Sequence, residues 1–91
     1  MAVGIIFDGV GVSREQYEQV LKQVTPNQTA TPGMLHHVAG TTADGIAVVE
    51  LWESEETLMA FFKEKLEAAL QAAGITIRPK PFEVFNEIKV K

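Results

Sequence analysis

The sequence predicts an α+β domain of order β-α-β-β-α-β, in which a four-stranded antiparallel sheet carries two helices on one face. Four short runs are rich in β-branched and aromatic residues, which is typical of strands. Two longer segments repeat apolar residues at helical spacing, each behind a capping serine. The two middle strand segments flank a short stretch with an Asp-Gly pair, which favours a hairpin.

Size and composition restrict the class of protein. The chain has 91 residues, 46% hydrophobic and 22% charged, so we expect one globular domain over residues 1–91. A net charge of −4 disfavours nucleic acid and anionic membranes as partners. The absence of cysteine excludes a disulfide framework, a thiolate nucleophile and a cysteine metal site. The N-terminus lacks a basic signal region, and no run of 18 apolar residues occurs, which predicts a cytoplasmic protein.

The first strand and the first helix follow one another. Val3–Phe7 is predicted as the strand, ended by an Asp-Gly pair. Ser13 begins the helix, and Gln16 stands where a capping box places its second residue. One apolar stripe follows at helical spacing: Tyr17, Val20, Leu21 and Val24. Pro26 ends the helix and begins a loop that extends to Gly33.

A hairpin comes next. Met34–Gly40 and Ile46–Glu53 are predicted strands. Thr41–Gly45 predicts a connection of four or five residues. The two strands therefore pair antiparallel.

The second helix is the longer one. Ser54 is its predicted N-cap, and Gly74 is the candidate for the position after its last residue. Its apolar residues are Leu58, Phe61, Phe62, Leu66, Ala69, Leu70 and Ala73. Phe82–Val90 is the last predicted strand, and Pro79 and Pro81 at its entry favour a sheet edge.

This order is the split-βαβ, or ferredoxin-like, arrangement. Two right-handed crossovers place both helices on the same face of the sheet and give the strand order 4-1-3-2.

The sheet is apolar on both faces. In strand three, Ala47, Val49 and Leu51 alternate with the set Ile46, Val48, Glu50 and Trp52. A chain of this length has no element left to cover the second face. We therefore expect a homodimer whose two sheets pack face to face.

Three segments resemble a known superfamily: Gly33–Gly40, Val48–Ser54 and Ala60–Phe62. They are similar to the dimeric α+β barrel proteins, in particular the small antibiotic-biosynthesis monooxygenase-like domains. The resemblance implies a homodimer with a pocket between sheet and helices in each protomer. Some members of this group are cofactor-independent oxygenases of polycyclic phenols, and others degrade haem or act as isomerases and cyclases. His37 and Trp52 look most like the group's recurring His and Trp, whereas the Asn that some oxygenases carry near the first strand has no counterpart.

The adjacent histidines carry an argument from strand parity. His36 and His37 point to opposite faces, so one of them shares a face with Glu50 and Trp52. If Gly40 pairs with Gly45, that histidine is His37, which then lies opposite Val48 and diagonal to Glu50.

A histidine beside a carboxylate is an acid/base unit, because imidazole titrates near neutral pH. We expect His37 as the acid/base residue and Glu50 as its orienting partner. The candidate ligand-contacting residues are Trp52, Tyr17, Phe62 and His36. A buried His–Glu pair with a purely structural role at a dimer interface is the alternative. No metal site is expected, because neighbouring side chains on a strand diverge, and no cofactor is required.

The sequence thus predicts a small-molecule enzyme or binding protein of the monooxygenase-like group, acting on a flat apolar compound. A non-catalytic dimeric ligand-binding or regulatory domain is the second hypothesis. Haem binding or degradation is the third, since a histidine could supply the axial ligand.

Overall fold

The computed structural model describes residues 2–24 and 31–88. Its elements are β1 (Val3–Val10), α1 (Arg14–Val24), β2 (Met34–Thr42), β3 (Gly45–Trp52), α2 (Glu55–Phe61), a π-helical turn (Phe62–Leu66), α3 (Glu67–Ala72) and β4 (Arg78–Glu83). The predicted element order is confirmed. The predicted helix end at Pro26 lies outside the described residues, as do Lys89, Val90 and Lys91. Within the described part of the chain, no helix is long and apolar enough to cross a membrane.

The sheet has the order β2-β3-β1-β4, with every neighbouring pair antiparallel. This is the order predicted from two right-handed crossovers. The helices cover one face, and the core lies between them and the sheet. Its buried apolar residues are Ile5, Phe7, Val20, Val24, Val48, Trp52, Leu58, Phe61, Leu66 and Ala69.

The hairpin is tighter than the sequence predicts. Thr42 pairs with Gly45, so the loop is a two-residue turn instead of a connection of four or five residues. A Cβ on residue 45 would collide with the carbonyl oxygen of Gly9, so glycine is required where β3 approaches the end of β1. The backbone N–H of Gly11 donates to the carbonyl oxygen of Asp44 at 2.7 Å, which ties the turn to the end of β1.

This short turn moves the register by two residues from the Gly40–Gly45 pairing. Gly40 pairs with Ala47, and His37 lies directly opposite Glu50. A shift of two residues keeps every side chain on its predicted face, because strand side chains alternate with a period of two.

Helix α1 begins at the predicted capping box. The backbone N–H of Gln16 donates to the Ser13 hydroxyl at 3.1 Å, and the Gln16 side-chain oxygen accepts from the Ser13 N–H at 2.9 Å. Both bonds satisfy N–H groups that the first helical turn leaves without a partner.

The second helical segment contains a π-helical turn, which the helical spacing of its apolar residues does not predict. Its buried positions are Leu58, Phe61, Leu66 and Ala69, and Leu66 lies five positions after Phe61. In a regular α-helix a step of five residues turns a side chain away from the previous one. The backbone N–H of Glu67 instead donates to the carbonyl oxygen of Phe62, five residues earlier. This wider turn returns Leu66 to the core.

Both ends of this segment follow the prediction. The Ser54 hydroxyl accepts from the backbone N–H of Thr57 at 3.2 Å. At the other end Gly74 has a φ of 69°, and the N–H of Ile75 donates to the carbonyl oxygen of Leu70 at 2.9 Å. This bond belongs to the Schellman motif that commonly ends a helix at glycine.

The prediction for the last strand is wrong in its bounds. The strand covers Arg78–Glu83 instead of Phe82–Val90, so Pro79 and Pro81 lie inside it. β4 is an edge strand, where a missing N–H can face outward without losing a bond to a neighbour. Phe82 lies over Gly4, where a Cβ would collide with its ring. The chain from Val84 to Ile88 lies outside any strand.

The face of the sheet away from the helices exposes several large apolar residues, as the alternation predicts, and it also carries Asp8, His36 and Lys80. We call it the open face. Its exposed large apolar residues are Ile6 (37% exposed), Val10 (60%), Val38 (65%), Val49 (44%) and Phe82 (42%).

Candidate functional site

The candidate site lies where the helix-covered face of the sheet meets α1. β3 directs Glu50 and Trp52 toward the helices, and β2 places His37 opposite Glu50. Tyr17 comes from the first turns of α1. Strand register and the packing of α1 therefore bring together side chains that are up to 35 residues apart in sequence, linked by hydrogen bonds.

Glu50 is the buried centre of the site. It is only 4% exposed. The Trp52 indole Nε1–H donates to Glu50 Oε1 at 2.9 Å, and His37 Nδ1 lies 2.8 Å from Glu50 Oε2. Both carboxylate oxygens therefore have a partner, which a buried carboxylate requires.

With Glu50 as a carboxylate, these bonds match one tautomer of neutral His37. An ionised carboxylate only accepts hydrogen bonds, so His37 Nδ1 carries a proton and donates it to Glu50. The other ring nitrogen, Nε2, lies 2.7 Å from the Tyr17 hydroxyl oxygen. In neutral His37 this nitrogen is an acceptor, and Tyr17 donates to it. The two rings are stacked, with their centroids 6.1 Å apart.

Tyr17 is held in its neutral form. Burial raises the pKa of the Tyr17 phenol above its ordinary value of 10.0, and the negative charge of Glu50 raises it further. Both effects disfavour the phenolate. Tyr17 therefore enters the site as an O–H donor. A continuous chain of hydrogen bonds runs from Tyr17 through His37 and Glu50 to Trp52, and we call it the relay.

The relay lies at the wall of an apolar cavity of about 410 Å³. Most of the cavity wall is aliphatic or aromatic, contributed by sheet and helices alike. The wall comprises Phe7, Gly9, Val12, Tyr17, Val20, Leu21, Val24, Met34, Leu35, His36, His37, Ile46, Val48, Glu50, Phe61, Leu66, Leu70, Ile75 and Ile77. Polar side chains are confined to the β2 side. A ligand in this cavity would therefore meet hydrogen-bonding groups at one end.

The cavity approaches solvent beside the relay. A second depression, of about 660 Å³, lies on the outer side and shares Tyr17, His37 and Ile46 with the cavity. The His37 side chain is 27% exposed, whereas that of Glu50 is 5% exposed. His37 thus separates a buried carboxylate from the outside.

Two predicted wall residues do not contact the cavity. Trp52 is fully buried beneath it, and its ring packs against Phe61 with centroids 5.2 Å apart. Phe62 is half-buried and packs against the core, because the π-helical turn gives Phe61 the inward position. Trp52 contacts Glu50 instead of lining the cavity, and Phe61 takes the place expected of Phe62.

The remaining predicted residues reach the cavity. His37, Glu50 and Tyr17 line it together. His36 also reaches its rim, although it pairs with Leu51 and is exposed. The register of β2 is irregular between Met34 and His36, and Leu35 lies at this irregularity.

Two features of the site were not predicted from the sequence. Tyr17, a predicted wall residue, lines the cavity, and its hydroxyl also bonds to His37 across 20 residues of sequence. Ile75 and Ile77 follow α3 and close one side of the cavity. The alternating apolar residues at 75 and 77 were a signal for a half-buried extended segment.

The described residues contain no group of three or more His, Cys, Asp or Glu side chains that could hold a metal ion. The functional groups brought together at the site are a phenol, an imidazole, a carboxylate and an indole.

Solved structures with this fold include proteins described as monooxygenases. A putative antibiotic biosynthesis monooxygenase from Chloroflexus aurantiacus aligns with a TM-score of 0.68 at 16% identity, covering 100% of both chains. SnoaB, a cofactor-independent oxygenase from Streptomyces nogalater, aligns at 0.65 and 14% identity, covering 96% of this chain and 95% of its own. A dimeric ferredoxin-like protein of unknown function from Thermobifida fusca aligns at 0.67 and 21% identity, covering 92% of each.

No protein-family model and no curated protein matches the sequence. The structural likeness confirms the predicted ferredoxin-like α+β fold, which this chain shares with the antibiotic biosynthesis monooxygenase-like proteins. At these identities the likeness defines the fold alone.

Proposed function

We propose that this protein is a small-molecule enzyme of the monooxygenase-like group that removes a proton from a flat, largely apolar compound bound in the cavity. The relay at the polar end of the apolar cavity is the observation that carries the proposal. His37 is the acid/base residue and Glu50 is its partner. Tyr17 presents its hydroxyl oxygen to the ligand.

The proton path follows from the hydrogen bonds. The ligand gives its acidic proton to the Tyr17 oxygen, while the Tyr17 hydroxyl proton passes to His37 Nε2 over the 2.7 Å bond. Tyr17 stays neutral, His37 becomes an imidazolium, and the ligand becomes an anion. One proton leaves the ligand and one is gained by His37, so the step balances.

Glu50 makes this step favourable. The imidazolium carries a positive charge that needs compensation away from bulk water, and Glu50 Oε2 lies 2.8 Å from Nδ1. Trp52 holds the other carboxylate oxygen, so the carboxylate cannot rotate away without losing a bond. Geometry of this kind keeps the imidazole in the tautomer whose Nε2 accepts a proton.

The walls and the volume of the cavity indicate the class of ligand. Its walls are mostly apolar and its volume of about 410 Å³ fits a small organic molecule. The stacked Tyr17 and His37 rings favour a flat ligand with one acidic group directed at the relay.

We further propose that the protein is a homodimer that buries the open face. That face exposes Ile6, Val38, Val49 and Phe82 together, an apolar patch that monomeric proteins rarely leave in water. The dimeric ferredoxin-like protein from Thermobifida fusca has the same fold and supports this assembly.

2-Naphthol provides a direct test, because it is flat, mostly apolar and carries one acidic hydroxyl whose ultraviolet spectrum changes on ionisation. We expect the wild-type protein to bind it with a naphtholate spectrum near neutral pH. His37→Ala should retain binding through the apolar walls and lose the naphtholate spectrum. Ala39→Ser, on the same strand and exposed, is the control. Equal naphtholate signals in wild type and His37→Ala would refute the role of His37.

A non-catalytic ligand-binding domain is the second candidate. It is favoured by the complete pairing of the buried relay, since every buried side-chain N and O atom in the described residues has a partner. In that case His37→Ala would weaken binding or unfold the protein, and the bound naphthol would stay neutral in wild type.

Haem binding is the third candidate and requires a free imidazole nitrogen. Both ring nitrogens of His37 are engaged, by Glu50 and Tyr17, so an iron bond would have to break one of these contacts. His36 stands at the rim as the other candidate ligand. A Soret band that shifts on haemin titration in wild type and is lost in His36→Ala would favour this function.

A further inference from the structure

The two side chains of this protein that lose a single electron most readily both belong to the relay. Phenol and indole rings are oxidised by one electron more easily than any other side chain except the thiol, which the chain lacks. Tyr17 is the only tyrosine and Trp52 the only tryptophan, and hydrogen bonds join them through His37 and Glu50. Both oxidisable rings are therefore connected to groups that can take up a proton.

Tyr17 stands next to a base, which the oxidation of a phenol requires. A phenol that has lost an electron is a strong acid and releases its hydroxyl proton at once. His37 Nε2 lies 2.7 Å from the Tyr17 oxygen. A short hydrogen bond of this kind lets the proton move to the imidazole while the electron leaves the ring.

Burial closes the other route to oxidation. A phenolate loses an electron without the help of a base. Burial and the charge of Glu50 raise the pKa of Tyr17, so the phenolate is scarce near neutral pH. The neutral phenol is the form that must be oxidised, and His37 is needed at that moment.

The products of this oxidation are also accommodated. The tyrosyl radical is neutral, so no charge is left on Tyr17. The imidazolium of His37 is compensated by Glu50 Oε2, 2.8 Å from Nδ1. The indole N–H of Trp52 donates to the other carboxylate oxygen at 2.9 Å and holds the carboxylate in place.

The phenol is within reach of an oxidant. Tyr17 lies in the wall of the apolar cavity and also in the wall of the depression outside it. A flat phenol in the cavity is the ligand class of the proposed function. The one-electron-oxidised form of such a ligand is an aryloxyl radical, which has the same size and shape.

We propose that Tyr17 is a redox-active tyrosine that reduces an aryloxyl radical in the cavity while its hydroxyl proton passes to His37. One electron moves from Tyr17 to the ligand radical, which becomes a phenolate anion. The Tyr17 O–H bond breaks, an N–H bond forms at His37 Nε2, and Tyr17 becomes a tyrosyl radical. The oxidant is an aryloxyl radical whose parent phenol is harder to oxidise than tyrosine. The ligand class rests on the proposed function, whereas the electron transfer does not require proton removal from a ligand.

Pulse radiolysis tests the electron transfer directly. Azide radicals convert an excess of 4-cyanophenol into its aryloxyl radical, and the nitrile group makes this radical a stronger oxidant than tyrosyl. We expect the tyrosyl absorption of the wild-type protein to rise as the 4-cyanophenoxyl absorption decays, more slowly in D2O than in H2O. Samples frozen after the pulse should show the tyrosyl spectrum in electron paramagnetic resonance. Tyr17→Phe should abolish it, since the chain has no other tyrosine.

Variants of His37 test the coupling to the proton. His37→Ala should slow tyrosyl formation by roughly tenfold to a hundredfold, because a positioned base contributes about that factor or more. Added imidazole should restore part of the rate in this variant. His37→Gln keeps an acceptor oxygen without a base and should be slow as well, which covers the case that His37→Ala folds poorly. Lys63→Ala, on the exposed helix surface, is the control and should react as wild type does.

The outcomes separate this inference from the proposed function. Equal rates of tyrosyl formation in wild type and in both His37 variants would overturn the inference, even with a naphtholate spectrum in the binding test. A wild-type radical that settles on Trp52 with no tyrosyl signal would also overturn it. Fast tyrosyl formation that depends on His37, together with a bound naphthol that stays neutral, would support the redox role and refute proton removal from the ligand.

Discussion

The Tyr17 hydroxyl lies 2.7 Å from His37 Nε2, and the same imidazole contacts Glu50 through its other nitrogen. This relationship joins a helix residue to a strand residue across the rim of the cavity. It extends the histidine–carboxylate pair by one hydrogen bond, so that the phenol at the cavity wall is linked through the imidazole to the buried carboxylate.

The ionisation of Tyr17 can be measured directly, because the chain contains a single tyrosine. Burial and the charge of Glu50 raise the pKa of the phenol above 10.0. We expect the tyrosinate absorbance to appear at higher pH in the folded protein than in urea. This absorbance lies at about 295 nm. Glu50→Gln should lower this pKa part of the way, because it removes the negative charge and leaves the burial.

The same shift predicts how stability depends on pH. The folded phenol binds its proton more tightly than the unfolded one. Its contribution to stability is fully present below pH 10.0 and is lost as the pH rises through the raised folded pKa. Tyr17→Phe should remove this part of the alkaline dependence. Equal slopes of unfolding free energy against pH above 10.0 in wild type and Tyr17→Phe would contradict the assignment.

Loss of the Glu50 carboxylate should destabilise the fold. Glu50→Ala leaves the fully buried Trp52 indole N–H without its acceptor, which costs roughly 1–3 kcal/mol. Glu50→Gln retains one side-chain oxygen and should cost less. Urea denaturation measures both. Glu53→Ala, three residues away and exposed, is the control and should change stability by less than about 0.5 kcal/mol.

Trp52 reports on the core, since it is the only tryptophan. Its side chain is 0% exposed and packs against Phe61. We expect a blue-shifted emission that iodide quenches poorly, and a red shift on unfolding. Readily quenched emission under native conditions would show that Trp52 does not occupy the site beneath Glu50.

The open face can be tested with a charge. Val49 is 44% exposed at the middle of that face, and Val49→Asp should raise the dimer dissociation constant by roughly a hundredfold, because a carboxylate would be buried between two sheets. Met59 is 42% exposed on α2, so Met59→Asp is a matched control. Sedimentation velocity over a range of concentrations compares the two. Equal sedimentation of both variants with wild type would place the interface elsewhere.

The close approach of β3 to the end of β1 depends on a glycine at 45. A Cβ there would collide with the carbonyl oxygen of Gly9, and backbone cannot move as a flexible side chain does. Gly45→Ala should therefore destabilise the fold by about 2 kcal/mol or more. At Gly40, on the other strand of the hairpin, a Cβ would meet nothing within 4 Å, so Gly40→Ala should be nearly neutral in thermal denaturation. A similar melting temperature for both variants would argue against this close approach of β3 to the end of β1.

The sequence determined the order of the elements, both N-terminal caps, the glycine at the end of the long helix and the apolar character of the open face. Each of these depends on neighbouring residues or on simple periodicity. Parity alone also placed one histidine on the face of Glu50 and Trp52, because a register shift of two residues leaves every side chain on the same side.

The tertiary structure decided the rest. The turn length set which residue lies opposite His37, and the π-helical turn gave Phe61 the inward position expected of Phe62. Close packing placed Trp52 beneath Glu50 and brought the Tyr17 hydroxyl to His37. Such contacts depend on how a helix sits on a sheet, to within about an ångström. The position of a helix on the sheet cannot be predicted from local sequence preferences, because it is set by the packing of the whole core.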